Sequence, residues 1–215
     1  MTDLTLFIGN QKYSSWSLRP WIAMKTKGVS FRQELRRFDD HAGKVDYKTF
    51  SATGTVPCLH DGALKISESL AILEYLAELY PDRGFWPQDR ANRAHARMIS
   101  TEMAAGFRSL RGECPMNFAR KPGAIEVSDG VTRDVSRIEQ IWDECLNASG
   151  GPFLFGEFCN ADAMFAPVVN RMEIYRLSVH PAVASYSAAI KALPAWREWA
   201  EAGAAEPWIY PEDEA

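Results

Sequence analysis

Apolar and polar positions change rhythm partway along the chain. Leu4–Ile8 (L-T-L-F-I) is a short apolar run ending at Gly9-Asn10, a strand and then a turn. Leu18, Trp21, Ile22 and Lys25 fall on neighbouring helical faces, and Gly28 follows as a stop. Ser15 or Ser17 can cap this helix, with Pro20 in its first turn. Phe31, Gln33 and Leu35 alternate with polar neighbours as a second strand, and residues 37–53 are polar loop with at most a short helix. Cys58-Leu59, an Asp61-Gly62 turn signal, then Leu64 and Ile66 around Lys65 predict a hairpin. Ser67-Glu68-Ser69 opens a run of Ile72, Leu73, Leu76 and Leu79 at helical spacing. The first half is thus βαβ–ββα, with a right-handed crossover in its βαβ unit.

Tyr80–Pro87 holds two prolines and a glycine and reads as a linker. Everything beyond it is helical. Arg90–Leu110 reads as one helix, and Val131, Val135, Ile138, Trp142 and Leu146 form one clean stripe. Ala161, Phe165, Val168, Met172 and Tyr175 form another, with Pro167 inside it as a kink. Pro181 and Pro194 open the last two helices, and Glu212–Ala215 is expected to fray. The expected division is an α/β domain over residues 1–80, a linker over 81–89 and an all-α bundle over 90–215.

Composition changes this picture little. The chain has 215 residues, 47% hydrophobic, with a net charge of −4. Nothing there favours nucleic acid or an anionic membrane. No apolar run approaches a membrane span, and Met1–Ile8 lacks the features of a signal peptide. The four cysteines (58, 114, 145, 159) and four histidines (41, 60, 95, 180) have no metal-ligand spacing, so no metal is expected. Four free thiols fit a reducing cytoplasm.

Pro57 should begin a strand or occupy a turn, with a cis Val56–Pro57 bond as one option. The helix start at Ser67–Ser69 offers free N–H groups to an anion, preferably a carboxylate; a simple cap is the alternative. Ser14 and Ser15 also stand at a helix start, beside Tyr13.

This order of features resembles the soluble glutathione transferases along essentially the whole chain. Val56-Pro57 is similar to the family's cis-proline turn, and Glu68-Ser69 to its γ-glutamyl clamp. Ser14–Arg19 (S-S-W-S-L-R) resembles the serine motif of the zeta-type enzymes and their bacterial relatives. Phe158–Asp162 (F-C-N-A-D) resembles the capping motif of the sixth helix, with Cys159 in place of Ser or Thr. Trp16 stands where zeta enzymes carry a cysteine, which counts against maleylacetoacetate isomerisation without excluding it.

The resemblance implies a thioredoxin-like first domain and a cytoplasmic homodimer. It also implies glutathione as co-substrate and thiolate addition to a small electrophile. Ser14 is then the donor to the thiolate, with Ser15 and Tyr13 as substitutes. Val56 offers backbone to the cysteinyl residue, Pro57 shapes the turn, and Glu68 and Ser69 hold the glutamyl end. Lys44 and His41 are candidates for the glycyl carboxylate, with Lys48 a weaker one. Trp16, Met103, Phe107, Arg108, Arg111 and Asn117 are candidates for the second-substrate pocket. A glutathione-dependent isomerase and a non-catalytic binding protein of the same fold are the rival functions.

Overall fold

The computed structural model describes residues 3–38 and 46–214. Its elements are β1 (Leu4–Ile8), α1 (Ser15–Thr26), β2 (Arg32–Leu35), β3 (Cys58–Asp61), β4 (Leu64–Ser67) and α2 (Ser69–Leu79). There follow α3 (Arg90–Ala105), α4 (Arg108–Glu113), α5 (Asp129–Ser149), α6 (Asn160–Ile174), α7 (Pro181–Ala192) and α8 (Pro194–Ala205). The described strands form one sheet in the order β2-β1-β3-β4, with β1 parallel to β2 and the other pairs antiparallel. A thioredoxin-like α/β layer followed by helices is the fold class expected. Among the described residues no helix is long and apolar enough to cross a membrane.

The core does not divide where the architecture does. Leu6 and Ile8 of β1, Trp21 of α1, Ile99 of α3, Phe165 of α6 and Trp199 of α8 belong to one buried cluster. Helix α1 is the shared wall, packing on β1 and on both α6 and α8. Trp21 meets Trp199 edge to face at 5.0 Å, a geometry that contributes about 0.5–1.5 kcal/mol beyond burial. Gly203 of α8 lies so close to the loop after β1 that a Cβ there would sit 2.9 Å from the Gln11 carbonyl oxygen.

Several local expectations need correction. The cap of α1 is Ser14, not Ser15 or Ser17, so Pro20 lies inside the helix rather than in its first turn. Proline has no N–H for the carbonyl four residues back, which here is that of Trp16. The Ser69 hydroxyl supplies the missing donor, bonding Trp16 O at 2.8 Å. The single helix expected over Arg90–Leu110 breaks at Gly106-Phe107, where Phe107 adopts φ 53° and α4 restarts. A Cβ on Gly106 would lie 2.8 Å from Glu102 O, so glycine permits the turn.

At the C-terminus, Pro211–Asp213 forms a 3₁₀ turn instead of fraying. Glu214 accepts hydrogen bonds from Tyr13 Oη and Asn117 Nδ2. Upstream, the Glu206 carboxylate accepts the N–H groups of Gln11 and Lys12 at 2.8 and 3.2 Å.

Helix α6 is buried along nearly its whole length and starts on Cys159. Sulfur is a weak capping acceptor, and Asp162 does the holding. Its Oδ2 accepts Cys159 N–H at 2.8 Å, while Oδ1 accepts Leu154 N–H and Tyr186 Oη–H at 3.0 and 3.1 Å. Burial pushes this carboxyl up to about 6 despite those donors.

Candidate functional site

A cleft of about 530 Å³ opens where the loop after β1 faces α4 and α6. One wall carries Tyr13, Ser14, Ser15 and Val56; the other carries Arg108, Arg111, Met116 and Arg171. A second recess of about 190 Å³ shares Trp16, Thr55 and Val56 with it and adds Pro57, Glu68 and Ser69. The two recesses therefore adjoin along Trp16 and Val56.

The wall that carries Ser14 is made by local chain geometry. Ser14 caps α1 and so sits where the helix N-terminus concentrates partial positive charge. Its Oγ donates to Ser17 Oγ at 2.8 Å and accepts Ser17 N–H at 3.4 Å. Ser15 lines the same cleft, and its hydroxyl has no hydrogen bond among the described residues. Tyr13 lines it too, but its hydroxyl is committed to the Glu214 carboxylate, and burial with that bond holds its pKa well above the usual phenol range. A proton held that firmly is a poor donor to a thiolate.

The Val56–Pro57 peptide is cis, and both residues face the second recess. Glu68 beside them has φ 72° and ψ 124° at the start of α2. A non-glycine residue there costs about 1–3 kcal/mol, and such strain concentrates at binding sites. Ser69 contributes differently from the expectation: its hydroxyl is spent on Trp16 O, leaving its backbone N–H, at the first position of α2, for an anion. His41 and Lys44, candidates for a glycyl carboxylate, lie outside the described residues.

The opposite wall departs further from what was expected. Arg108 and Arg111 line it, but Met103, Phe107 and Asn117 do not. Met103 is fully buried among the helices, and Phe107 is buried at the α3–α4 break. Asn117 turns its amide onto Asp213 O and Glu214, so it anchors the C-terminal turn. Met103 and Phe107 share the helical period of true lining residues, and periodicity cannot separate core from cleft.

Sequence reasoning missed Arg171 and Arg19. Arg171 lies on α6, 3% exposed, with Nε on Cys114 O at 2.9 Å and Nη1 unpartnered. Arg19 lies on α1, fully buried, with Nε on Met164 O and both terminal nitrogens unpartnered. The guanidiniums of Arg19 and Arg111 lie 4.0 and 5.2 Å from the centre of the Trp16 ring. Trp16 thus carries cation–π contacts.

Neither Arg19, Arg108, Arg111 nor Arg171 is in a salt bridge among the described residues. Burial, then Arg171 and Arg111, pushes Arg19 far down; burial and Arg111 push Arg171 down to about 10. The shifts record cations crowded together with little anion nearby. Asp213 at the cleft edge opposes the shift at Arg171 and Asp134 opposes it at Arg111, and burial holds the Asp213 carboxyl above the ordinary range. No set of three or more His, Cys, Asp or Glu side chains is grouped to hold a metal among the described residues.

The site therefore combines a neutral hydroxyl at a helix start, a strained glutamate and a cis-proline turn on a four-stranded sheet flanked by helices. Residues 13–79 match the family model described as the glutathione S-transferase N-terminal domain. The maleylacetoacetate isomerase of Rattus norvegicus is 29% identical over 191 residues, spanning 86% of this chain and 87% of that protein. Glutathione S-transferase Z1 of Arabidopsis thaliana is 26% identical over 196 residues, spanning 86% of each. A crystal structure of a glutathione transferase homolog from Burkholderia gl BGR1, with bound glutathione, superposes with a TM-score of 0.71. It is 25% identical, and the match covers 94% of this chain and 97% of that one. Residues 13–79 thus match the glutathione S-transferase N-terminal domain, and the chain as a whole is similar to glutathione transferases and maleylacetoacetate isomerases.

Proposed function

We propose that this protein is a glutathione-dependent enzyme in which Ser14 stabilises the glutathione thiolate for attack on an electrophilic carbon. The observation that supports this reading is a pair of adjoining recesses that share Trp16, Thr55 and Val56. One holds Ser14 at the α1 N-terminus, and the other holds Val56, Pro57, Glu68 and Ser69. Glutathione lies with its cysteinyl backbone along Val56, its glutamyl ammonium at Glu68 and its glutamyl carboxylate on the α2 N-terminus. Its thiol gives up a proton to solvent, and the sulfur, held by Ser14 O–H, forms a carbon–sulfur bond. The electron pair displaced leaves with a leaving group or is protonated on carbon. Ser15, one residue on, is the substitute donor. His41 or Lys44 meets the glycyl carboxylate.

A second reading is favoured by the unpaired arginines. Arg111 and Arg171 suit an acceptor bearing carboxylates, and the rat relative carries the name maleylacetoacetate isomerase. In that reaction the thiolate adds to one alkene carbon, the neighbouring carbon–carbon bond rotates, and the same carbon–sulfur bond breaks to return the thiolate. Glutathione is not consumed. We read the chain as a cytoplasmic homodimer with domains over 1–80 and 90–215 joined by 81–89, a state that sedimentation tests directly.

Retention on immobilised glutathione, followed by two assays, tests the function. Conjugation of an activated aryl halide marks the transferase. Turnover of a cis-dienone dicarboxylate at constant glutathione marks the isomerase. Absence of retention overturns both and leaves a fold used for another ligand.

A further inference from the structure

Ser14 does not act alone in its own hydrogen-bond pattern. Ser17 Oγ accepts the Ser14 hydroxyl at 2.8 Å and the backbone N–H of Gly9 at 3.0 Å. A hydroxyl has two acceptor positions and one proton to give. Both acceptor positions of Ser17 are therefore filled, and its own proton finds no acceptor among the described residues. Ser17 is fully buried and Ser14 is 4% exposed. A buried hydroxyl proton without a partner is unusual, because the desolvation cost is not recovered.

Two backbone N–H groups fix the position of the pair. Ser17 N–H reaches Ser14 Oγ as the cap bond of α1. Gly9 anchors Ser17 from the end of β1, and a Cβ there would lie 3.1 Å from Ser14 Oγ and 2.4 Å from the Phe38 ring. The two hydroxyls can exchange roles without moving their oxygens.

We propose that Ser17 is the positioning residue of the thiolate site: its hydroxyl accepts the Ser14 hydrogen bond before the thiol arrives and donates one back to Ser14 Oγ once Ser14 turns its O–H to the sulfur. This rests on Ser14 being the donor to the thiolate. The exchange breaks no covalent bond and conserves the Ser14–Ser17 hydrogen bond with donor and acceptor reversed. It gives the idle Ser17 proton a partner. A donor into Ser14 Oγ also polarises the Ser14 O–H, which strengthens its bond to sulfur. Ser17 never touches the substrate; it acts through Ser14.

The test is the titration of glutathione bound to the full chain, read by thiolate absorbance, beside the pH profile of kcat/KM. The variants are Ser14→Ala, Ser17→Ala, Ser17→Thr and the double alanine. Ser17→Ala is expected to raise the midpoint by about one pH unit, which is about tenfold less thiolate below it. The KM for glutathione should stay within about threefold, because the peptide-holding groups are untouched. Ser17→Thr keeps the hydroxyl and should restore the midpoint. The double variant should be no worse than Ser14→Ala alone, since the two act as one unit.

An unmoved midpoint in Ser17→Ala, with Ser14→Ala shifted, overturns the proposal and leaves Ser17 as packing. An unmoved midpoint in Ser14→Ala removes the thiolate role of Ser14 itself, and the proposal with it, and is recognisable as that separate failure. Should Ser17→Ala fail to fold because Gly9 N–H loses its acceptor, Ser17→Cys keeps the volume and a weak donor. It is expected to shift the midpoint partway, and a wild-type midpoint in it overturns the proposal.

Discussion

On the thiol side of the cleft, Ser14, Ser17 and Ser69 spend their hydroxyls or lone pairs inside the chain, on one another, on Gly9 and on Trp16. On the far side, Arg108, Arg111 and Arg171 line the cleft, and Arg171 Nη1 is buried without a hydrogen-bond partner; behind Trp16, both terminal nitrogens of Arg19 are likewise without one. One wall is neutral and already organised; the other holds cationic charge without salt bridges among the described residues. A neutral wall of fixed donors recognises a peptide by backbone and position. Guanidiniums buried without a salt bridge keep a desolvation cost that carbonyls and a Trp ring offset only in part, and an anion would relieve it further. On the proposed function, the two walls would select for different properties of their ligands, shape on one side and charge on the other.

Ser14→Ala should separate the walls most sharply. Loss of a donor to a developing or bound anion costs about 10²–10³ in rate, so kcat/KM should fall by that much for every electrophile, neutral or charged. Arg111→Ala and Arg171→Met should do the reverse. Each removes a charged hydrogen bond of about 1.5–3 kcal/mol, so carboxylate-bearing acceptors should lose about 10–100-fold in kcat/KM while a neutral aryl halide changes less than about twofold. Equal losses on both substrates would mean that the arginines support the fold and not the acceptor.

The scaffold beneath each wall has its own signature. Asp162 holds the start of α6, which carries Arg171. Its carboxyl ionises near 6 when folded, against 3.8 as the ordinary value, because burial disfavours the charge. Between those values the folded form holds a proton that the unfolded form has lost, so this group makes stability fall as pH rises from about 4 to about 6. Urea titrations across that window should show the slope, and Asp162→Asn should flatten it. Ser69→Ala, under the thiol wall, should cost about 1–3 kcal/mol by leaving Trp16 O buried and unpaired, read as a lower urea midpoint with unchanged m. The smallest effect belongs to Lys25→Ala, which breaks an exposed 2.6 Å pair with Glu198 across α1 and α8. Less than about 1 kcal/mol is expected there.

The residues of the thiol wall were legible because each lies in a short run whose hydrogen bonds are local. A serine before an apolar helical stripe, a valine–proline ahead of a hairpin, and Glu-Ser at a helix start announce themselves within a few residues. Even there, neighbours shifted the details. Pro20 moved into the helix because Ser69, far along the chain, could satisfy the carbonyl that proline abandons. Met103 and Phe107 looked like lining residues because a helical stripe marks only that a face is buried, not what buries it.

The sequence by itself determined the order of strands and helices, the capped start of α1 and the Val56–Ser69 recess, since periodicity, caps and turns act over one or two turns of chain. Only the tertiary structure decided the arginine wall, which gathers Arg19, Arg111 and Arg171 from α1, α4 and α6. It also decided the docking of Glu206–Glu214 against the loop after β1. The first depends on α1 packing against α6, the second on Gly203 of α8 admitting the loop after β1. Contacts of that kind are set by the shape of a shared core and leave no periodic mark in the chain.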